Sequence, residues 1–389
     1  MTPEDRGSPP LDGLLVIGLE QAISGPHCTR QLADLGARVI KVENQAGGDF
    51  ARSYDDVVAG TSAHFAWANR GKESVVLDLK EPVGRQALEQ LVATADVLVQ
   101  NLAPGAAARL GLDARSLLAR YPRLIAVDVS GYGRGGPMES ARAYDLLVQA
   151  EGGSCALTGT ADARVKPGIP LADIGAGMHA AQAVLAALLQ RERTGRGSAL
   201  SVGMFDVVTD WAGWALNQAR YGGQDPVPNG LSSPMVAPYG AYRTNDGQVV
   251  VLGTTNDGEW RRLAQQVLGR ADLAEDPRYA RNADRVLRRP ELDEAIAAWT
   301  SRHSLAEARA AADQAGLGHA RLNTVSDVLE HPQLVERDRW CETECPGGSF
   351  LSLRPPVQSD TWDVAPGPVP ALGQHTQAVL AELTDLRVR

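Results

Sequence analysis

The sequence predicts a doubly wound α/β fold followed by a smaller α+β unit, on three observations. Short apolar runs alternate with helical stretches over the first 130 residues at strand–helix–strand spacing, the pattern of βαβ units and a parallel sheet. A Gly/Pro/Asn-rich connection, Gly222–Ser233, then interrupts the chain. Beyond it, Tyr239–Thr244 and Gln248–Gly253 flank Asn245-Asp246-Gly247, a hairpin signal that a parallel sheet does not use.

The elements follow in order. Met1–Leu11, with three prolines, reads as a loose tail. Leu14–Gly18 is a buried strand, Leu19–Pro26 a loop and Thr29–Leu35 a helix stopped by Gly36. Strands are predicted over Ala37–Glu43, Ser74–Leu79, Asp96–Gln100 and Leu124–Ser130, with helices over Val83–Ala93 and Asp113–Arg120 between them. Ligands in such sheets lie beyond the carboxyl ends of the strands, which singles out the loops Glu20–Pro26, Asn101–Gly105 and Gly131–Pro137. Lys166–Asp206 then reads as a turn, an acid (Asp173) at a helix start, a long Ala/Leu-rich helix and a Gly-Arg-Gly turn into a strand. Val207–Tyr221 is a helix, and further helices are predicted at Asp257–Leu268, Pro290–Trp299, Ser304–Ala315 and Gly373–Leu383. The expected organisation is residues 1–206 as the large domain, 207–231 as linker, 232–323 as the small domain and 324–389 as a C-terminal segment.

Net charge −9 with pI about 5.4 argues against nucleic acid or an anionic membrane as partner, while leaving room for a local basic pocket. No charged-then-apolar leader and no run of about 18 apolar residues occurs, so a soluble cytoplasmic protein is expected. Of the cysteines Cys28, Cys155, Cys341 and Cys345 only the last two are close, without a second pair or a spaced His. Reduced thiols and no metal are expected.

Gly131-Tyr-Gly-Arg-Gly-Gly136 matches G-x-G-x-x-G, but the first strand of the sheet lacks that fingerprint and Pro137 leads into a polar turn. A glycine-rich turn admitting a ligand other than a dinucleotide is the better reading. Asp173 at a helix start is first of all a candidate N-cap, and the N–H groups there would hold its carboxylate ionised. His179, six residues on, does not share its face. Trp211, Trp214 and Trp260 read as core or interface residues.

Several segments carry a resemblance. They are Gly36-Ala-Arg-Val-Ile-Lys-Val-Glu43 with Gly48-Asp49, Gln100-Asn-Leu-Ala-Pro-Gly105 and Ser130-Gly-Tyr-Gly133. Tyr144-Asp-Leu-Leu-Val-Gln149, Ala172-Asp-Ile-Gly-Ala-Gly177 and Arg193-Thr-Gly-Arg-Gly197 complete the set. In order and wording they resemble the family III CoA-transferases, which include the α-methylacyl-CoA racemases. The resemblance implies a Rossmann-like large domain, a small domain, a C-terminal segment returning to the large one, and an interlocked homodimer. It also implies transfer of coenzyme A from an acyl-CoA to a small carboxylic acid, with CoA a substrate.

On that resemblance Asp173, ahead of Gly175 and Gly177, takes the nucleophile's position. An aspartyl–acyl anhydride is reactive enough for CoA thiolate to attack again, where a serine ester would be too stable. Tyr144, Asp145 and the Gly133 loop are supporting candidates, the loop as a source of N–H groups for oxyanions. Asn101, Leu102, Arg109 and Leu110 match the nucleotide-contacting segment N-[FL]-x-P-G-x-x-x-R-[LM], and Arg142 a basic position before Tyr144-Asp145. Lys72 is a further phosphate candidate.

Departures narrow the expectation. The racemases carry a His-Asp pair where this chain has Tyr144-Asp145, and tyrosine's reference pKa of about 10 makes it a poor α-proton base. Ile23 and Gly253-Thr-Thr-Asn-Asp-Gly258 replace the Gln and the glycine run of formyl-CoA transferases, which argues against oxalate. The segments Glu20-Gln-Ala, Asp49-Phe-Ala-Arg52, His64–Arg70 and Met235–Tyr239 are similar to the branch acting on four- and five-carbon dicarboxylates. Arg52 and Arg70 are the candidates for the second carboxylate. An acyl-CoA racemase and a non-catalytic CoA-binding protein remain the alternatives.

Overall fold

Alternation of side chains along each strand of the large unit builds an apolar layer on both faces of one sheet. Val16, Val39, Val97, Ile125 and Val127 point to one face, and their neighbours Ile17, Ile40, Leu98 and Ala126 to the other. Covered on both sides, the central strands are apolar throughout rather than alternately polar. In the computed structural model, which describes residues 7–388, six parallel strands result: β1 (Leu15–Leu19), β2 (Arg38–Glu43), β3 (Lys72–Val76), β4 (Val97–Gln100), β5 (Ile125–Ser130) and β6 (Ser198–Gly203). Their order is β3-β2-β1-β4-β5-β6, so the winding direction reverses between β1 and β4. A crevice opens beyond the carboxyl ends of those two strands.

The first face is covered by α1 (Ser24–Ala33) and by the long helix Leu171–Thr194. The sequence reading starts α1 at Thr29 because Pro26 suggests a loop. The helix begins five residues earlier, since first-turn N–H groups have no intrahelical partner and a proline there costs nothing. By length and composition Leu171–Thr194 is apolar enough to cross a membrane, yet Ala172, Ala176, Ala180 and Val184 are buried in this core. Helix Val207–Tyr221 is instead two helices, Met204–Trp211 and Gly213–Gly222. Short helices at Ala63–Asn69 and Asp145–Glu151, too brief to show periodicity, were not legible in the sequence.

The chain divides into two compact units. One comprises Met1–Ser154, Pro167–Trp214 and Val335–Arg389, the other Cys155–Lys166 and Ala215–Leu334. The division thus assigns Cys155–Lys166 to the second unit and Met204–Trp211 to the first. Of the predicted N-terminal tail, residues 1–6 lie outside the described residues, and Leu11 is buried in the core. In the first unit the C-terminal helix Thr376–Val388 meets the edge strand β3. The Ser74 and Val76 N–H groups donate to His375 Nδ1 (3.1 Å) and Thr376 Oγ1 (3.0 Å), and Val379 and Leu383 pack on the second face. The second unit holds the predicted hairpin, β7 (Tyr239–Arg243) and β8 (Val249–Gly253), joined by β9 (Gly318–Arg321), over a core with Trp260 and Ile296.

Candidate active site

At the switch point lies a cleft of about 1470 Å³. Its wall combines the loop after β1 (Gln21–Ser24), the loop after β4 (Asn101–Gly105), the glycine-rich loop after β5, the Tyr144–Asp145 corner and Asp173.

Asp173 is the third residue of its helix, whose N-cap is Pro170 with no side-chain cap, so it does not cap its own helix. That work is done by Asp145, whose Oδ1 accepts the N–H groups of Ala172 (3.0 Å) and Asp173 (3.4 Å). The Asp173 carboxyl lines the cleft together with Ser24 at the start of α1, whose hydroxyl and N–H pull its pKa downward. Glycines make the approach possible. A Cβ on Gly177 would sit 2.7 Å from Ser24 O and 3.0 Å from His27 Cβ, and one on Gly175 would sit 2.5 Å from the Trp211 ring. Burial, then the neighbouring Asp145 charge, raise the Asp173 pKa to about 7 against the lowering pull of Ser24. The sequence expectation of a carboxylate held low by helix N–H groups is therefore reversed, because burial and a like charge outweigh the lowering influence of Ser24.

The glycine-rich loop lines the cleft through Gly131, Gly133 and Gly135. Gly133 has φ +79°, and a Cβ there would meet Asp206 Oδ2 at 2.8 Å. A Cβ on Gly131 would meet that of Ala143 at 2.0 Å, so close approach explains the motif without a dinucleotide.

Three predicted ligand-binding cations are instead structural. Lys72 is fully buried and donates to Glu20 Oε1 (2.7 Å), Pro26 O (2.9 Å) and Asn69 Oδ1 (2.9 Å). Burial pushes its pKa down to about 8, and its ammonium is occupied by these three protein acceptors. Arg52 holds Glu43 with two bonds (2.9 and 2.7 Å) and stacks on Phe65 at 3.7 Å. Arg70 is buried against Asp34 (3.2 Å) and donates to Leu353 O. None of the three lines the cleft, so the assignment of a substrate carboxylate to Arg52 or Arg70 is withdrawn.

Asn101 and Leu102 line the cleft, but Asn101 spends its amide on the β1 loop: Oδ1 accepts Gln21 N–H (2.8 Å) and Nδ2 donates to Gln21 O (2.9 Å). Arg109 and Leu110 are exposed outside the cleft wall. Arg142 does line it, exposed and without an ion-pair partner among the described residues, as does Arg115, which sequence reasoning missed. Arg134, inside the G-x-G-x-x-G loop, also lines it and pairs with Asp128 (2.9 Å). Ser24 was missed as well, and its place at the switch point was the available signal. Tyr144 is exposed on the cleft wall beside Asp145. Among the described residues no group of three or more His, Cys, Asp or Glu is gathered to hold a metal, and all four cysteines are free thiols.

Residues 11–376 match CoA-transferase family III. The chain belongs to that family. It is 34% identical to the succinate–glutarate CoA-transferase of Agrobacterium fabrum, over 99% of this chain and 98% of that one. It is 36% identical to the acetyl-CoA:oxalate CoA-transferase of Acetobacter aceti, over 89% and 88%. A CAIB/BAIF family protein from Brucella suis has the same fold, with a TM-score of 0.84 and 33% identity over 97% of this chain and 100% of that one. This family III chain is accordingly a CoA-transferase, acting on CoA thioesters.

Proposed function

We propose that the protein moves CoA from an acyl-CoA, such as succinyl-CoA, to a small dicarboxylic acid with Asp173 as covalent nucleophile. The observation that carries this reading is a carboxyl at the switch point, its pKa raised to about 7 by burial and Asp145, on the wall of a cleft where two exposed arginines have no ion-pair partner among the described residues. The cleft, about 1470 Å³, exceeds the roughly 300–1,000 Å³ of a drug-sized pocket and suits an extended ligand. Arg142 and Arg115 supply charge-assisted hydrogen bonds to CoA phosphates.

In the proposed sequence, ionised Asp173 attacks the thioester carbonyl, the C–S bond breaks, and CoA leaves as thiolate from a mixed anhydride. The thiolate then attacks the Asp173 acyl carbon, releasing the donor acid as carboxylate and leaving an aspartyl–CoA thioester. The acceptor carboxylate attacks that thioester, and the expelled thiolate takes the acceptor acyl group from the second anhydride, regenerating Asp173. Each attack creates an oxyanion, and the cleft-lining N–H groups of the 131–136 loop are the candidates to receive the one on substrate.

The preference for dicarboxylates rests on sequence similarity and on relatives named for succinate, glutarate and oxalate, which also restores oxalate as an acceptor to be tried. Incubation with succinyl-CoA and a panel of mono- and dicarboxylic acids, with CoA esters read by mass spectrometry, tests the reading. New esters of dicarboxylates are expected, and their absence, or deuterium exchange at the α-carbon without any acceptor, contradicts it. An interlocked homodimer is part of the proposal, supported by the resemblance and by exposed Met178, Leu189 and Trp211, with light scattering as its check.

A further inference from the structure

Asn101 stands close to the first turn of α1. A Cβ on Gly25 would lie 2.9 Å from Glu20 Cβ and 3.1 Å from Asn101 Cγ, so a side chain there would crowd both. Its amide cannot be turned over, because a backbone N–H only donates and a carbonyl only accepts. Oδ1 must face Gln21 N (2.8 Å) and Nδ2 must face Gln21 O (2.9 Å). The second hydrogen of Nδ2 then points to Ser24 Oγ at 3.0 Å. With one lone pair of that hydroxyl occupied by a fixed donor, its own proton is left to turn toward Asp173, which lines the same cleft and whose pKa the Ser24 side chain pulls downward.

We propose that Asn101 is a positioning residue acting through Ser24: the clamped amide fixes the Ser24 hydroxyl as donor to Asp173 and so holds the ionised, attacking form of the nucleophile in a single orientation. This deepens the reading of Asp173 as nucleophile and rests on it. It also gives Asn101 a task distinct from contacting a nucleotide. The relay begins in the loop after β4, passes through the helix start after β1, and ends on the long helix, so it ties together the two sides of the switch point.

The groups that face Asp173 bear on its titration from every side. Asp145 and Tyr144 come from the corner before the long helix, Tyr54 from the segment after β2, and Arg142 lines the same cleft. All stay unchanged in the variants below. Loss of one hydrogen bond to a carboxylate raises its pKa by about one unit.

The test is carbodiimide labelling of Asp173 across pH in the full-length protein, read by peptide mass spectrometry, beside the pH profile of kcat/KM. Ser24→Ala and Asn101→Ala should each move the labelling midpoint up by about one pH unit, and the double variant no further than Ser24→Ala alone. Thermal melting confirms that each variant is folded; should Asn101→Ala not fold, Asn101→Asp serves, since a carboxylate accepts the Ser24 proton and turns it away from Asp173. An unmoved midpoint in folded Ser24→Ala, or additive shifts, overturns the relay. A midpoint that moves while the kcat/KM limb stays put leaves the relay standing and refutes Asp173 as the nucleophile.

Discussion

The two halves of the central sheet use charge in opposite ways. Under the β1–β3 half, Glu20, Lys41, Asp49 and Lys72 have side chains with no solvent exposure or nearly none and satisfy one another: Lys41 meets Asp49 at 2.8 Å and Lys72 meets Glu20 at 2.7 Å. Asp49 also accepts the N–H of Ala22 (3.0 Å), a residue with φ +60°, so the network fixes the loop that delivers Ser24. Beyond the β4–β6 half, Arg115 and Arg142 stand exposed on the cleft wall without ion-pair partners among the described residues. Both halves carry basic side chains. Pairing and burial decide that the first set holds a loop in shape and the second is available to anions.

Substitutions on either side break or sharpen that contrast. The largest effect is expected between the halves, at the nucleophile. Asp173→Asn should lower turnover at least about a thousandfold, measured as label exchange between free acid and acyl-CoA. The same variant should melt higher than the parent at pH 8. Folding raises this carboxyl's pKa from its ordinary 3.8 to about 7, so the ionised group costs stability that grows as pH rises through that window, and the difference should vanish below pH 4. Next comes the buried half. Lys72→Met removes the closer of the two buried lysines that face Glu20, leaving Lys41 at 3.5 Å, and should cost about 3 kcal/mol in denaturant unfolding. If Lys72→Met instead raised the KM for acyl-CoA in a protein of unchanged stability, the contrast would fail.

On the exposed side Arg142→Ala should raise the KM for acyl-CoA about tenfold with kcat little altered, as expected for a charge-assisted bond to phosphate. High salt should mimic it in the parent. The smallest effect is a displacement. kcat/KM for the parent should rise with pH through about 7 as Asp173 ionises, and Asp145→Asn should move that limb to lower pH by removing a like charge. An upward move would mean that Asp145 serves mainly to order the helix start.

Much of this contrast was hidden from the sequence. Strand periodicity and the alternation with helices sufficed for the parallel sheet, its switch-point loops and the hairpin of the second unit, because those signals are local. Asp173 was legible from a motif and a resemblance, but not its surroundings. Its partner Ser24 is 149 positions away, and the carboxyl's raised pKa arises from burial and Asp145, neither of which a linear motif encodes. Lys72, Arg52 and Arg70 read as ligand cations because an isolated basic residue carries no mark of the carboxylate it will meet on folding. Arg115 escaped notice for the same reason in reverse.

The claim that the chemistry passes through Asp173 is tested most directly by trapping. The protein is incubated with succinyl-CoA, quenched with hydroxylamine, and its peptides sequenced by mass spectrometry. A hydroxamate at Asp173, absent from Asp173→Asn, is the predicted result. Formation of a new CoA ester with Asp173 unmodified, or with the hydroxamate on another carboxyl, would contradict the account.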